Sequence, residues 1–191
     1  MPPSGAGEIR KLFSRTRDPR FIRRVPDAAT QTLIEHVETA FRAAGWQFRR
    51  VEDQPVVESE FEAHHAKVPL HVQAFDELGI ISVVARLSFN VSPAAKVSVS
   101  EALMRTNLSL NIGNFETDPD SGEVFFRATN VFPRGECEPS VIASLVRTAV
   151  VEMDRLTPFL AELERQPIQP IAALLAREDL LPTIGEPTSA A

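Results

Sequence analysis

The sequence has very little cysteine: Cys137 is the only one in 191 residues. A single cysteine excludes an intramolecular disulfide framework and a cysteine-rich metal site. Its neighbours Glu136 and Glu138 oppose thiolate formation, whereas a nucleophilic cysteine needs positive surroundings. We therefore predict no cysteine chemistry.

Long apolar runs are also missing. The longest, residues 79–87 and 141–151, are broken by serine and arginine and fall short of the roughly 20 residues that a membrane span needs. The basic N-terminus is not followed by an apolar run and a small-residue cleavage site, so it does not read as a secretory signal. These observations predict a soluble protein in the cytoplasm.

The usual signatures of catalysis are absent. The chain contains no Gly-x-Ser-x-Gly elbow, P-loop, His-Glu-x-x-His or paired CxxC. His64 and His65 are adjacent on a predicted strand and point to opposite faces, so His71 can meet only one of them and no third zinc ligand is evident. Asp118-x-Asp120 lacks the later glycine and acid of an EF-hand. We therefore expect no enzyme activity, no cofactor and no metal.

An acidic row, Glu58, Glu60 and Glu62, alternates with apolar residues in a predicted strand. It is either a cation or basic-peptide site, or a solvated sheet face. Side chains two apart on a strand are roughly 6–7 Å apart, and Ca²⁺ also requires converging loop oxygens, so we favour the solvated face. Arg49 and Arg50 are the expected cross-strand partners.

Charge is unevenly distributed. Residues 1–25 contain seven lysines or arginines and two acids, whereas the whole chain has a net charge of −6. This basic arm also shows apolar residues at helical spacing. It predicts contact with nucleic acid or an anionic membrane, or else a solubilising arm that docks on the acidic body.

The remaining pattern predicts an α+β fold, with an antiparallel sheet flanked by helices in the order α-β-β-β-β-α-β-β-α. Asp27 is the expected cap of the first helix, which ends at Gly45. The expected strands of the first meander are residues 46–51, 56–64, 70–75 and 79–89, with one turn at 67–69.

The second half of the chain predicts a mainly apolar helix at residues 94–110, buried on more than one side. A turn at residues 117–122 then leads to a strand at 123–131, in which Arg127 is expected to pair with a carboxylate or a carbonyl. The long final helix starts near Pro139, and Pro158 is expected to kink or divide it near Thr157. We assign residues 1–25 to the arm, 26–165 to the domain, and 166–191 to a tail with a helix from Pro170.

Two segments together resemble a known family. The run from Asn107 to Arg127, with its asparagine-rich helix end, Gly-x-Phe and acidic turn, and the later Asp154-x-x-x-Pro158 are similar to the YbjN-domain family of bacterial sensory transduction regulators. The matching positions are Asn111, Gly113, Phe115, Gly122, Arg127, Asp154 and Pro158.

This resemblance implies a fold similar to type III secretion chaperones, which are compact dimers that hold client segments without catalysis. It implies a non-enzymatic interaction protein that binds a protein or peptide, with a homodimer interface on the exposed sheet or the long helix. We expect contacts through apolar grooves or a free sheet edge. The candidate partner-binding residues are Asn107, Asn111, Gly113, Asn114, Phe115, Phe125, Phe126 and Arg127.

Overall fold

The computed structural model describes residues 31–133 and 137–166. Two predictions lie outside these residues: the helix in the basic arm and the tail helix from Pro170. The assignment of residues 1–25 and 167–191 as arm and tail stays a prediction.

The described residues form three helices and six strands, in the predicted order and the predicted α+β class. They are α1 (Leu33–Ala43), β1 (Arg49–Arg50), β2 (Val56–Glu62), β3 (Lys67–Phe75), β4 (Ile80–Arg86), α2 (Lys96–Asn107), β5 (Asn114–Thr117), β6 (Val124–Val131) and α3 (Pro139–Arg165).

The strands make one antiparallel sheet in the order β1-β2-β3-β4-β6-β5. The first four strands are neighbours in chain order, which confirms the predicted meander. Helix α2 then carries the chain past β4, so that β5 lies at the edge and β6 returns between β5 and β4.

The turn between β2 and β3 differs from the prediction. It lies at His64 and His65, where the Ala63 N–H donates to the Ala66 carbonyl at 3.0 Å, and β3 already begins at Lys67. Pro69 therefore lies inside a strand. It is tolerated because the pairing of β3 with β4 ends at the next residue, so no ladder bond needs its missing N–H.

Strand β1 is much shorter than predicted because the residues before it pack instead of pairing. The rings of Trp46 and Phe48 lie edge-on to Phe41 of α1, with centroids 5.3 and 5.6 Å away. This aromatic packing anchors α1 against the first edge of the sheet.

Helix α1 begins after Thr32, so its N-cap is Thr32 and the expectation that Asp27 caps this helix is wrong. The Thr32 N–H donates to the Glu35 carboxylate at 2.7 Å, which satisfies one of the free donors of the first turn. The Leu33 N–H donates to Asp76 Oδ1 at 2.7 Å and so ties the helix start to the turn between β3 and β4. Gly45, at φ +71°, follows the helix end as predicted.

Helices α1 and α3 bury one face of the sheet. The core combines their apolar stripes with alternate strand residues, and burial of each large side chain contributes about 1.5–3 kcal/mol. The most buried large members are Phe41, Phe126, Phe159, Ile81, Ile142, Met153, Leu156, Leu160 and Leu163.

Helix α3 is continuous over 27 residues, so Pro158 does not divide it near Thr157, and the alternative of a kink there stays a prediction. Pro158 removes only one backbone hydrogen bond, whereas Leu156, Phe159 and Leu160 on both sides of it are buried in the core. Burial of both halves therefore keeps the helix intact.

Helix α2 is also different from the prediction. It is shorter, and it is buried on one side only, through Val99, Ala102, Leu103 and Thr106. Apolar residues on its other side are exposed, so the expectation of burial on several sides is wrong.

No helix among residues 31–133 and 137–166 is both long and apolar enough to cross a membrane.

Candidate functional site

The face of the sheet opposite α1 and α3 is the largest candidate surface. No described helix covers it, and its side chains alternate with the core residues along each strand. We call it the open face. Its residues include Glu58, Glu60, Glu62, His71, Gln73, Phe75, Ile80, Ser82, Val84, Arg86, Asn114, Glu116, Phe125, Arg127, Thr129 and Val131.

Arg127 lies on β6, next to the edge strand of the open face, and pairs with Glu116 of β5, which confirms the prediction of a carboxylate partner. Its Nε donates to Glu116 Oε1 at 2.9 Å, and its Nη2 donates to Oε2 at 3.0 Å. The guanidinium also reaches Ser82 Oγ at 3.5 Å, and Thr129 Oγ1 donates to the same oxygen at 3.2 Å. Hydrogen bonds from Arg127 lower the pKa of Glu116 below its usual range.

A histidine faces the same region. The sheet register places His71 and Arg127 on either side of Val84. Burial, followed by the charge of Arg127, lowers the pKa of His71 and so favours its uncharged imidazole. Val84 lies on the open face and not on the face that packs against α1 and α3. It is nevertheless buried, because the longer side chains of His71 and Arg127 flank it.

The open face is apolar at one end. Phe75 and Val131 are exposed large hydrophobic side chains there, and Ile80 lies between them in the register. Phe125 is half-buried beside Glu116 and Arg86. The surface therefore offers an ion pair near the β5 edge with Phe125 beside it, and exposed apolar groups at the Phe75–Val131 end, which suits binding.

Asn107, at the end of α2, holds the edge strand in place. Its amide nitrogen donates to the Phe115 carbonyl at 3.0 Å, and its amide oxygen accepts from the Phe115 N–H at 2.8 Å. The side chain thus imitates a neighbouring strand and occupies the outer edge of β5. This contact is structural, and it leaves little of that edge free for an added strand.

Gly113 is required for close packing. It adopts φ +75°, and a Cβ there would lie 2.6 Å from Phe126 Cζ and 2.7 Å from the Arg127 carbonyl oxygen. The Phe126 ring packs edge-on against Phe115 with centroids 5.0 Å apart. Both rings are buried, so neither is on the surface of the folded protein.

A cleft of about 510 Å³ lies between residues 109–112 and the middle of α3. Asn111 and Ile112 line it from one side, and Thr148 lines it from the other. Its other polar lining residues are Ser109 and the ion pair of Arg155 with Glu152, in which Arg155 Nη2 lies 2.6 Å from Glu152 Oε2. Asn111 is the predicted binding residue that the structure places in this cleft.

The predicted binding residues therefore do not form one site. Phe125 and Arg127 lie on the open face, and Asn114 lies beside them, where its Nδ2 donates to Glu116 Oε1 at 3.2 Å. Asn111 lies in the cleft. Asn107, Gly113, Phe115 and Phe126 hold the β5–β6 hairpin together from within, so a direct partner contact for the two buried rings does not fit the structure.

Asp154, in the second segment of the family-like motif, has a structural role. Its buried carboxylate accepts from the backbone N–H groups of His64, His65 and Ala66 at 3.3, 2.7 and 3.1 Å. It therefore fixes the β2–β3 turn onto α3. The sequence showed the motif but not this role, because the turn lies about 90 residues earlier.

The acidic row behaves as a salt-bridged sheet face. Glu58 pairs with Arg49, as predicted, and Lys67 lies 3.6 Å from Glu60 and 3.1 Å from Glu62. Within the described part of the chain, no group of three His, Cys, Asp or Glu side chains is placed to hold a metal ion.

The exposed apolar side of α2 was not predicted. Val97, Met104 and Leu108 are 80, 71 and 89% exposed. The signal was present as a second apolar series beside the buried one, but the sequence pattern alone led us to assign both series to the core.

Comparison with known proteins gives structural matches. One is a solved structure described as "YbjN, a putative transcription regulator from E. coli", with a TM-score of 0.51 and 13% identity, which covers 73% of this chain and 96% of that chain. No curated protein matches the chain in sequence.

Chains of two chaperone–effector complexes are less similar, with TM-scores below 0.5. A chain of the HopA1–SchA complex has a TM-score of 0.48 and 10% identity, covering 70% of this chain and 98% of that one. A chain of the ExoT–SpcS complex from Pseudomonas aeruginosa has a TM-score of 0.41 and 14% identity, covering 62% and 91%.

A family model covers most of the described fold. The YbjN family model, described as "Putative bacterial sensory transduction regulator", matches residues 33–162. That range begins with α1, includes the asparagine-rich corner, and ends three residues before the end of α3. Since this is more than half of the 191 residues, the chain belongs to the YbjN family.

Proposed function

We propose that this protein is a non-enzymatic regulatory or chaperone-like protein that binds a protein or peptide partner and acts as a homodimer. The observation that supports it is the open face, which no described helix covers and which carries the Arg127–Glu116 pair beside Phe125 and exposed apolar side chains at the Phe75–Val131 end. Membership of a family described as regulators is consistent with this role.

The chemistry of the open face indicates what kind of partner it fits. The exposed groups at Phe75 and Val131 favour a partner with apolar side chains. Arg127 is already satisfied by Glu116, so it orients polar groups of the partner and does not need a new counter-charge. An apolar segment with flanking hydrogen-bonding groups meets both conditions.

Affinity capture from the native cell, followed by mass spectrometry, tests this proposal. We expect one stable partner that is lost with Val131→Glu and with Phe125→Glu. Leu78→Glu is the matched control, because Leu78 is 66% exposed in the turn Asp76–Leu78, outside the strands that form the open face. Far-UV circular dichroism must show that all three variants remain folded.

Two results would contradict the open face as the binding surface. One is retention of the partner by both open-face variants. The other is loss with the control alone.

The basic arm supports a second candidate, a regulator that acts on nucleic acid or an anionic membrane. Residues 1–25 carry its charge and lie outside the described residues. Binding to DNA, RNA or anionic vesicles should weaken steeply with salt and disappear when residues 1–25 are removed. Unchanged binding after that removal excludes this candidate.

A further inference from the structure

The cleft between the end of α2 and the middle of α3 is a feature that the open face does not explain. Its volume of about 510 Å³ lies within the roughly 300–1,000 Å³ of ordinary small-molecule sites. One wall is the loop of residues 109–112, which leads from α2 to β5, and the other is the stretch of α3 from Thr148 to Arg155. None of the lining residues belongs to a strand, so the cleft is separate from the open face.

The cleft contains an ion pair whose hydrogen-bonding capacity is only partly used. Arg155 Nε and Nη2 both donate to Glu152 Oε2, at 3.2 and 2.6 Å. Among the described residues, Glu152 Oε1 accepts no hydrogen bond and Arg155 Nη1 donates none. The two side chains are only 25 and 18% exposed, yet they still line the cleft. A donor and an acceptor of opposite charge are therefore available side by side.

Two neutral polar side chains in the walls are also available to a ligand. The Thr148 hydroxyl and the Asn111 amide form no hydrogen bond with any described residue. Ser109 differs, because its hydroxyl already donates to the Thr106 carbonyl at 2.8 Å. A hydroxyl and an amide can each donate and accept, so both can adjust to the polar groups of a ligand.

The loop also supplies an apolar surface to the cleft. Ile112 is 53% exposed, and Leu110 is half-buried against the core. An aliphatic group in the cleft would remove water from both side chains, which is favourable.

The ion pair determines which charges a ligand can carry. A ligand with a carboxylate alone would approach Arg155 but would also stand beside the like charge of Glu152, and a ligand with an ammonium group alone would stand beside Arg155. A ligand that carries both groups as neighbours can place its carboxylate against Arg155 and its ammonium group against Glu152. The two opposed ion pairs then attract each other, and the Arg155–Glu152 pair does not have to break.

We propose that this cleft binds a free α-amino acid with an aliphatic side chain. The carboxylate of the ligand accepts from Arg155 Nη1 and from the Asn111 amide, and its ammonium group donates to Glu152 Oε1. Its side chain packs against Leu110 and Ile112. This goes beyond the proposed function, because it adds a small-molecule site to a protein that binds its partner elsewhere.

Amide NMR spectra of the isotope-labelled full chain, titrated with L-leucine at neutral pH, test the site. We expect saturable shifts at residues 109–112, because these residues form one wall of the cleft. The dissociation constant should be on the order of 0.1–1 mM, since water reaches the ion pair and screens its charges.

Two analogues of leucine test the charge requirement. Isocaproate lacks the ammonium group, and leucinamide lacks the carboxylate. Each keeps the aliphatic side chain but leaves one charge of the ion pair facing a like charge, so each should bind at least about tenfold more weakly than leucine.

Matched variants test the residues. Glu152→Gln and Arg155→Gln should each weaken leucine binding by about tenfold or more, because each removes one of the two charges that face the ligand. Glu101→Gln is the control, since Glu101 forms a similar ion pair with Arg105 at 2.7 Å on α2, outside the cleft. It should leave the affinity unchanged, and dispersed amide spectra must show that all three variants are folded.

Three results would overturn the proposal: no saturable shift at residues 109–112 up to the solubility limit of leucine, equal affinity for leucine and either analogue, or an equal loss of affinity with Glu101→Gln and Glu152→Gln. Because these titrations use the purified chain without a client, their failure leaves partner binding by the open face unaffected. Loss of the partner with intact leucine binding would be the reverse case.

Discussion

The contact of Asp154 with the β2–β3 turn gives the sharpest stability prediction. Asp154→Ala removes a carboxylate that accepts from three backbone N–H groups, two of them at 2.7 and 3.1 Å and one at 3.3 Å. A hydrogen bond to a charged group contributes about 1.5–3 kcal/mol, so the two good ones give roughly 3–6 kcal/mol.

The net effect should be smaller than that sum. His64 and His65 are exposed, so water satisfies part of the turn when the carboxylate is gone. We expect Asp154→Ala to lower the free energy of unfolding by about 3 kcal/mol, and Asp154→Asn, which keeps one acceptor oxygen without the charge, by about half as much. Urea unfolding followed by circular dichroism measures both.

A matched control separates this effect from the loss of any acid. Glu38 pairs with Arg42 at 2.6 Å on the surface of α1, so Glu38→Gln should cost less than about 1 kcal/mol. If Asp154→Ala is no more destabilising than Glu38→Gln, the turn does not depend on the carboxylate and our account of the motif is wrong.

Three further changes test the same structure. Asn107→Ala should cost about 2 kcal/mol and speed hydrogen exchange at Phe115, since both backbone groups of that residue lose their partner. Gly113→Ala should lower the free energy of unfolding in urea by about 2–4 kcal/mol, because the added Cβ would clash with the Phe126 ring and the Arg127 carbonyl. Gly45→Ala is the control: Gly45 has a similar φ but no atom within 4 Å of an added Cβ, so the free energy of unfolding should fall by only about 1–2 kcal/mol. Burial raises the pKa of Cys137 to about 11, so its reaction with a thiol reagent at pH 8 should be about 100-fold slower in the native protein than in denaturant and should rise with pH.

The order of elements could be predicted from the sequence because each depends on local patterning. The alternation of Val57 and its neighbours in β2, and the stripe on α3, remain visible in a single segment. The turn at His64 could not be predicted in the same way. The turn is held by the Asp154 carboxylate on α3, which no pattern in the neighbouring sequence reveals. Pro69 suggested a turn at residues 67–69, but it lies inside β3.

The error on α2 has a different origin. Hydrophobic periodicity reports that a side chain prefers burial, but it does not say whether the covering surface belongs to the same chain. Val99 is covered by the fold and Met104 is not, although both read as apolar positions of one helix. A helix that is apolar on two sides is therefore evidence for either a deep core or an interface.

Most residues of the family-like motif stabilise the fold and do not lie on the open face. Asn107 closes the edge of β5, Gly113 admits the ring of Phe126, and Asp154 fixes a distant turn. These roles require particular residue types, because each depends on a hydrogen-bond geometry or on the absence of a Cβ. Exposed positions of the open face such as Val131 require only an apolar side chain, which several residue types provide. We infer that specificity for a partner lies in the less distinctive side chains of the open face, so substitutions there should change which partner binds without changing the fold.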